Sequence, residues 1–203
     1  MRIGSTGAEY NGVERAGTTI GQDGAITGTA GEELNLECVS EGGNPAPKLF
    51  WSINGRELPT LQAQENQRTE AGAWKAVSRL TLPVSRADHR AEVRCRAEHD
   101  ALDADLTTAR SLEIYYPPRV TASSTAGDQV LAEGQQVVFS CSADSNPPAS
   151  LTWRRVGGSQ LTTEASFTIQ SVGRETAGRY ECVGENFLGL SKPAAVEIQV
   201  QCK

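Results

Sequence analysis

Two cysteines with a tryptophan between them occur twice along the chain: Cys38, Trp51 and Cys95, then Cys141, Trp153 and Cys182. In each copy an Asn-Pro turn separates the first cysteine from the tryptophan. An immunoglobulin sandwich has this spacing, because its strands B and F carry a disulfide across two sheets and its strand C carries a tryptophan that packs on the bridge. The 203-residue chain is long enough for two such sandwiches. The repeat therefore predicts an all-β protein of two tandem immunoglobulin-like domains, each with one B–F disulfide.

The segments around these residues alternate with the period of two that a sheet with one buried face requires. Leu34, Leu36 and Cys38 share a face in the first copy, and Asn54-Gly55 between two strand-like runs is typical of a hairpin turn. The second copy repeats the pattern, and no segment has helical periodicity. The alternation supports the same fold class as the cysteine spacing.

The predicted domains are residues 19–116, of C2 type, and residues 117–203, of I or C2 type. Residues 1–18 show no periodicity and are interpreted as a disordered lead-in or an added sequence. Between the domains Pro117 and Pro118 fix φ and hold the preceding residues extended, and no Gly/Ser spacer intervenes. The junction is therefore predicted to be short and stiff, and the pair semi-rigid.

Tyr180 lies two residues before Cys182, which is the position of a tyrosine corner. Its hydroxyl is expected to bond to the backbone near the bend between strands E and F. Val93 occupies this position in the first domain, which is therefore expected to lack the corner. Neither domain is predicted to be a full variable domain.

Four cysteines are assigned to two bridges, Cys38–Cys95 and Cys141–Cys182. Zinc sites place their ligands two to four residues apart, and no two cysteines of the sequence are that close. Because disulfides form in oxidising compartments, the chain is expected to be extracellular. Cys202 has no counterpart in the repeat. It is interpreted as an unpaired residue at the boundary of a longer protein, with intermolecular pairing as the alternative.

The sequence offers no pattern for catalysis, a cofactor, a metal or a small-molecule substrate. His89 and His99 are the only histidines, no nucleophile motif such as G-x-S-x-G is present, and no glycine-rich loop opens a helix. Both histidines are interpreted as surface residues, and the protein as a non-enzyme. The formal charge of −6 is spread along the chain, which argues against nucleic acid or an anionic membrane surface as a partner.

Residues 98–106, EHDALDADL, are predicted to form an acidic F–G loop. A solvated turn is the simpler interpretation. The alternative is a partner-facing loop that uses Asp100, Asp103 and Asp105, because loops held on a rigid scaffold often carry recognition.

Several segments resemble the nephrin family of adhesion receptors. CVSEGGNPAPKLFWSINGREL, RAEVRCRAEHDAL and SLEIYYPPRV are similar to its C2-type domains, and EGQQVVFSCSADSNPPASLTW and CVGENFLG to its I-type domains. The resemblance implies a single-pass surface receptor with many immunoglobulin domains that binds relatives on opposing cells, at filtration-barrier junctions, in muscle-cell fusion or in synapse placement. Thr176 replaces the family's usual aspartate, which puts the expected salt bridge at the E–F bend in doubt.

Together these features predict an extracellular part of a cell-surface adhesion or recognition receptor, internal to its domain array, whose partner is another immunoglobulin-superfamily receptor. No apolar stretch spans a bilayer and the first residues lack a secretion signal, so any membrane anchor is expected outside this sequence. One alternative is the ligand-binding ectodomain of a signalling receptor. A second is a structural pair of the muscle-filament type, which the paired cysteines argue against.

Overall fold

The computed structural model describes residues 24–42, 44–59, 64–70, 72–100 and 104–201, and the backbone alone of residues 2–3 and 14–15. The predicted lead-in lies largely outside this part of the chain, and Asp103 and Cys202 lie outside it. The chain divides into two compact units, unit 1 (Met1–Tyr115) and unit 2 (Tyr116–Lys203). Within the described residues the secondary structure is β apart from two short 3₁₀ turns, η1 (Arg86–Asp88) and η2 (Arg174–Thr176). The predicted all-β fold is confirmed.

Unit 1 is a sandwich of two sheets. Its strands in chain order are β1 (Arg2–Ile3), β2 (Glu14–Arg15), β3 (Ile26–Thr29), β4 (Glu33–Gly42), β5 (Lys48–Ile53), β6 (Arg56–Leu58), β7 (Glu65–Arg68), β8 (Trp74–Pro83), β9 (Glu92–Glu98) and the first part of β10 (Leu106–Ser124). One sheet has the order β4-β8-β7, with β1 and β2 on β4. In the other sheet β6, β5, β9 and β10 are antiparallel neighbours, and β3 pairs with β10 in parallel.

Unit 2 is also a two-sheet sandwich. It contains the second part of β10, then β11 (Leu131–Ala132), β12 (Val137–Asn146), β13 (Ser150–Arg155), β14 (Gln160–Thr162), β15 (Ser166–Ile169), β16 (Gly178–Asn186), β17 (Gly189–Leu190), β18 (Ala194–Ile198) and β19 (Val200–Gln201). The second part of β10 pairs with β12, and β12 pairs with β15. The facing sheet has the order β14-β13-β16 with β17 and β18 on β16, while β11 pairs with β19.

The two predicted disulfides join facing sheets. Cys38–Cys95 connects β4 to β9 and Cys141–Cys182 connects β12 to β16, each with a Cα–Cα distance of 6.4 Å. Each bridge closes a long loop and is expected to stabilise its unit by about 4 kcal/mol through the reduced entropy of the unfolded chain. Trp51 and Trp153 are buried next to these bridges.

The core of unit 1 is mainly aliphatic. The residues that share the inner faces are almost inaccessible to solvent: Leu34, Leu36, Leu49, Leu80, Leu82, Val93, Leu112 and Ile114. Trp51 is the large aromatic side chain among them, and its Nε1 donates a hydrogen bond of 3.0 Å to Oγ of Ser78, which is also buried. The alternation read from the sequence therefore identified the inward-facing residues of this unit.

The core of unit 2 is aromatic at the equivalent positions. Phe139 stacks on Phe167 with ring centroids 4.6 Å apart, and both rings meet Trp153 edge-on. Tyr180 packs against Phe139, at 4.7 Å between centroids. Aromatic pairs in such geometries add about 0.5–1.5 kcal/mol beyond the burial of their area.

Two turns follow the sequence predictions. Asn54 and Gly55 have φ angles of 47° and 80° and form the hairpin between β5 and β6, because a turn of this kind requires positive φ at both central residues. The Asn44–Pro45 and Asn146–Pro147 peptide bonds, both in the turns that precede the strand C tryptophans, are cis.

The bend between strands E and F differs between the units. In unit 2 the Tyr180 hydroxyl donates a hydrogen bond of 2.8 Å to the carbonyl oxygen of Thr176, which is the geometry of a tyrosine corner. The Thr176 hydroxyl bonds to the backbone of Gly173 instead of making a salt bridge. In unit 1 Asp88 occupies the position of Thr176. Its carboxylate accepts hydrogen bonds from the backbone N–H and the hydroxyl of Ser85.

Candidate recognition surface

Two of the three aspartates of the predicted F–G loop, Asp100 and Asp105, lie among the described residues. Asp100 is exposed, but the carboxylate of Asp105 accepts a hydrogen bond of 2.7 Å from Nη1 of Arg96. One of the predicted aspartates, Asp105, is therefore hydrogen-bonded to Arg96 of β9. Whether these aspartates face a partner stays a prediction.

Arg96 is the centre of a cluster on the outer face of the sheet formed by β6, β5, β9 and β10. Its guanidinium donates to Glu57 on β6 at 2.9 Å, to Glu98 on β9 and to Asp105 just before β10. We call these four residues the Arg96 cluster. Arg96 itself is directly opposite Phe50 on β5, and its Cζ atom lies 4.8 Å from the centroid of the Phe50 ring. The Arg96 side chain on β9 thus contacts β5, β6 and the residue that precedes β10.

The exposure within the Arg96 cluster is uneven. The Arg96 side chain is 29% exposed, whereas that of Glu57 is 68% exposed. The hydrogen bond to Asp105 and the nearby Glu98 and Glu57 hold the pKa of Arg96 above its usual range despite partial desolvation. Each carboxylate has further acceptor positions beyond the bond to Arg96. The cluster therefore presents carboxylates to solvent above a largely covered guanidinium.

Unit 2 carries the opposite arrangement on the sheet formed by β14, β13, β16 and β18. Glu181 on β16 is directly opposite Arg154 on β13 and accepts a hydrogen bond from it at 2.9 Å, and it forms an ion pair with Arg179 at 3.4 Å. The Glu181 side chain is 14% exposed, and those of Arg154 and Arg179 are 51% and 58% exposed. We call these three residues the Glu181 cluster. Here a covered carboxylate holds two guanidinium groups at the surface.

The F–G hairpin of unit 2 displays large apolar side chains. Phe187 and Leu190 are strongly exposed at the turn between β16 and β17. Asn186 fixes this turn, because its Nδ2 donates to the carbonyl oxygens of Tyr116 and Pro147 and its Oδ1 accepts from the Leu188 N–H. Exposed apolar side chains on an ordered turn are typical of protein contacts.

Both histidines are partly exposed and form hydrogen bonds to the backbone of unit 1. His89 and His99 are half-buried. The Ile114 N–H donates to Nδ1 of His89 at 3.2 Å, and Nε2 of His99 donates to the Pro45 carbonyl oxygen at 2.9 Å. Each ring therefore binds a backbone group of unit 1, which is a structural role that residue type alone did not reveal.

Within the described ranges, no group of three or more His, Cys, Asp or Glu residues has an arrangement that could hold a metal ion. In the same part of the chain, no helix is both long enough and apolar enough to cross a bilayer.

The alternation of charged and buried residues in β9 is a sequence signal for the Arg96 cluster. In EVRCRAE the charged residues Glu92, Arg94, Arg96 and Glu98 alternate with Val93, Cys95 and Ala97, which are buried. Since Cys95 points inward, the four charged residues share the outer face. Glu57 could not be found in this way, because it comes from a strand 39 residues away.

Comparison with known domains defines the class of protein. Residues 18–105 match the CD80-like C2-set immunoglobulin domain, and residues 117–186 match an immunoglobulin domain. The chain is a tandem pair of immunoglobulin domains of the immunoglobulin superfamily, and its first domain is of C2-set type.

The relatives that it matches include cell adhesion molecules. Cell adhesion molecule 2 of Xenopus tropicalis is 29% identical over 177 residues, which are 83% of this chain and 40% of that protein. Kin of IRRE-like protein 2 of Homo sapiens is 32% identical over 165 residues, which are 75% of this chain and 23% of that protein. The chain thus spans less than half the length of either relative. The similarity to these relatives supports an adhesion function for the chain.

A solved structure supports the fold. The crystal structure of the full ectodomain (Ig1–Ig3) of mouse nectin-like molecule 4 is similar with a TM-score of 0.78 and 23% identity. The similarity covers 94% of this chain and 63% of that one.

Proposed function

We propose that this chain is an extracellular segment of a cell-surface receptor that mediates adhesion or recognition between cells. The observation that carries the proposal is the combination of two disulfide-bridged immunoglobulin sandwiches with similarity to cell adhesion molecules over most of the chain. Disulfides persist outside the reducing cytosol, which supports the extracellular location.

The partner that we propose is a protein, and specifically another immunoglobulin-superfamily receptor. The F–G hairpin of unit 2 exposes Phe187 and Leu190, and aromatic side chains are enriched at protein–protein interfaces. The segments quoted above for the nephrin family support a receptor of that kind as the parent. In this proposal the acidic F–G loop of unit 1, with Asp100, Asp103 and Asp105, is a secondary contact.

We further propose that the pair is an internal part of its receptor and binds an opposing-cell partner weakly or not at all by itself. Unit 1 lacks a tyrosine corner, and in unit 2 the segment between β13 and β15 holds one short strand, β14. Neither unit therefore builds the extended face of a variable domain. Surface plasmon resonance of the chain against immunoglobulin-superfamily ectodomains tests this placement, and nanomolar binding would contradict it.

The adhesion function itself is tested by imaging. An antibody against this chain is applied to intact cells that express the full-length parent, mixed with cells that do not. We expect staining without permeabilisation and enrichment at cell–cell contacts. Staining that appears only after permeabilisation, or surface staining that ignores contacts, would show that the proposal is wrong.

A further inference from the structure

An open groove of about 410 Å³ runs along one side of unit 2. Ala122 and Ser124 of β10 line one wall of the groove. Ala195 and Glu197 of β18 line the other wall. Within the described residues, β18 pairs only with β16, and the second part of β10 pairs only with β12. Both walls are therefore sheet edges, and we call the space between them the edge groove.

The backbone of β18 directs hydrogen-bonding groups into the edge groove. The N–H and C=O groups of successive strand residues point to alternate sides of the strand. The Leu131 N–H of β11 donates to the Gln199 carbonyl oxygen at 2.9 Å, so Gln199 points away from β16. Glu197 and Ala195 point the same way, because the pairing of β16 with β18 has no register shift. Their N–H and C=O groups continue the row that β11 binds, but no strand lies beside them in the described part of the chain.

The wall formed by β10 has the same property. The Thr125 N–H donates to the Val138 carbonyl oxygen at 2.9 Å, so Thr125 points towards β12. By the same alternation Ser124 and Ala122 point away from β12 and towards the edge groove. The Ser124 carbonyl oxygen already accepts a bond from the Gly127 N–H at 3.2 Å. The Ser124 N–H and both backbone groups of Ala122 are left for another partner.

We propose that the edge groove binds an extended peptide segment of another protein, which pairs with β18 as an added strand and carries lysine or arginine side chains. In strand addition of this kind, main-chain hydrogen bonds supply affinity and side-chain contacts supply specificity. The occupant is a peptide and not a receptor domain, so the inference goes beyond the proposed adhesion function. Its failure would leave that function untouched.

Charge favours a basic peptide. Asp128 and Glu197 line the edge groove, whereas no lysine or arginine among the described residues does so. Arg179 lies directly opposite Glu197 on β16 and offsets part of its charge, but the Arg179 guanidinium forms its ion pair with Glu181, at 3.4 Å. The two lining carboxylates therefore attract a cationic strand and repel an anionic one.

The same charge disfavours a second copy of β18 as the occupant. Unpaired edge strands join most readily when neither of them carries charged side chains. Glu197 is the one charged residue of β18, whose sequence is AAVEI. Two copies of β18 would place two Glu197 carboxylates on the same short ladder, where like charges repel.

An apolar surface receives the remaining side chains of the peptide. Ala122 and Val196 line the edge groove, are partly buried, and pack against the core of unit 2. Since side chains alternate along a strand, the residues between the basic ones would contact this surface. The fitting sequence therefore alternates lysine with an apolar β-branched residue such as valine.

The first test measures peptide binding by fluorescence anisotropy with the whole 203-residue chain. The probe is a fluorescein-labelled, amidated peptide, Lys-Val-Lys-Val-Lys-Val-Lys. One comparison peptide has glutamate in place of every lysine, and a second has proline in place of every valine, which prevents strand pairing. We expect the probe to bind about tenfold or more tightly than either of them. Equal binding of the three peptides, or no binding of the probe at the highest attainable chain concentration, overturns the proposal.

Hydrogen exchange measured by NMR then locates the peptide. In the free chain the amides of Ala195 and Glu197 should exchange fast, whereas that of Val196, which faces β16, should be protected. The bound probe should slow the exchange of Ala195 and Glu197. Protection at other residues, or at none, overturns the proposal.

A proline substitution tests the backbone contact. Ala195→Pro removes an N–H that faces the edge groove and leaves the bonds of β18 to β16 in place, so we expect the affinity for the probe to fall about tenfold or more. The matched control is Thr168→Pro on β15. Its backbone also points away from its partner strand β12, because the neighbouring Ala165 carbonyl oxygen is the one that accepts from the Cys141 N–H. A loss of binding in Thr168→Pro instead of Ala195→Pro overturns the proposal.

Charge variants keep the proposal falsifiable if a proline variant does not fold, which circular dichroism and peptide mapping of the two disulfides would show. Glu197→Lys is expected to weaken binding of the probe about tenfold, and Glu197→Gln by a smaller factor. Glu164→Lys, at an exposed position outside the edge groove, is the matched control and should bind as the parent chain does. Unchanged binding in both Glu197 variants, or an equal loss in Glu164→Lys, overturns the proposal.

Discussion

Replacing Ser78 by alanine tests how the core of unit 1 accommodates its tryptophan. Ser78 lies on β8 directly opposite Cys38, and its hydroxyl is the acceptor for Nε1 of Trp51. Both side chains are about 1% exposed, so water cannot replace the hydroxyl. Ser78→Ala leaves the indole N–H buried without an acceptor.

The expected cost follows from that burial. An unsatisfied buried polar group costs about 1–3 kcal/mol, and the loss of one hydroxyl oxygen leaves a cavity too small to add much. We therefore expect unit 1 to lose about 2 kcal/mol of unfolding free energy. For a domain of this size such a loss lowers Tm by about 8–16 °C.

Differential scanning calorimetry of the whole chain separates this effect from unit 2, whose transition should not move. Ser111→Ala, at an exposed position of β10, is the matched control and is expected to change stability by less than about 0.5 kcal/mol. In a double-mutant cycle, Trp51→Phe should cost less in the Ser78→Ala background than in the parent chain. A shift of unit 1 below about 0.5 kcal/mol for Ser78→Ala would refute the reasoning.

Three further predictions concern unit 2. Tyr180→Phe removes the hydrogen bond to the Thr176 carbonyl and is expected to cost about 1–3 kcal/mol in urea unfolding; a change within error would contradict a stabilising corner. Burial raises the pKa of Tyr180, so the neutral phenol is favoured in the folded state. Stability should be fully present below about pH 10 and decline above it, and Tyr180→Phe should abolish that decline. Arg155→Met removes donors to the Glu175 and Ala177 carbonyl oxygens and is expected to cost about 1 kcal/mol, measured against Arg174→Met as an exposed control.

The inward-facing residues of each strand were predictable, because side chains alternate between the two faces and one residue known to be buried therefore assigns the others. Once Cys95 is assigned to the core, the period of two places Val93 and Ala97 beside it, and both are fully buried. The Asn54-Gly55 hairpin was predictable because the turn requires positive φ at two consecutive residues, and few residue pairs other than Asn-Gly adopt it readily.

The side-chain hydrogen bonds that were not predicted join residues of different strands and turns. The acidic F–G loop was predicted to be a solvated turn or to face a partner, and the hydrogen bond from Arg96 on β9 to Asp105 was not predicted. His99 was predicted to lie at the surface. Its hydrogen bond to the Pro45 carbonyl oxygen, in the turn before β5, was not predicted. A single sequence gives the face on which a side chain lies but not which strand will be its neighbour.

The two units show which positions the fold constrains and which it leaves open. The residue before the second cysteine is Arg94 in unit 1 and Glu181 in unit 2, and the residues opposite them on strand C are Ser52 and Arg154. These outward positions differ in charge although the cysteine and tryptophan beside them are the same in both units. Since the disulfide, the tryptophan and the inner-face residues already account for folding, the charges on the outer faces are the ones available to select a partner. Substitutions on the inner faces should therefore act on stability, and substitutions of the outward charged residues on binding.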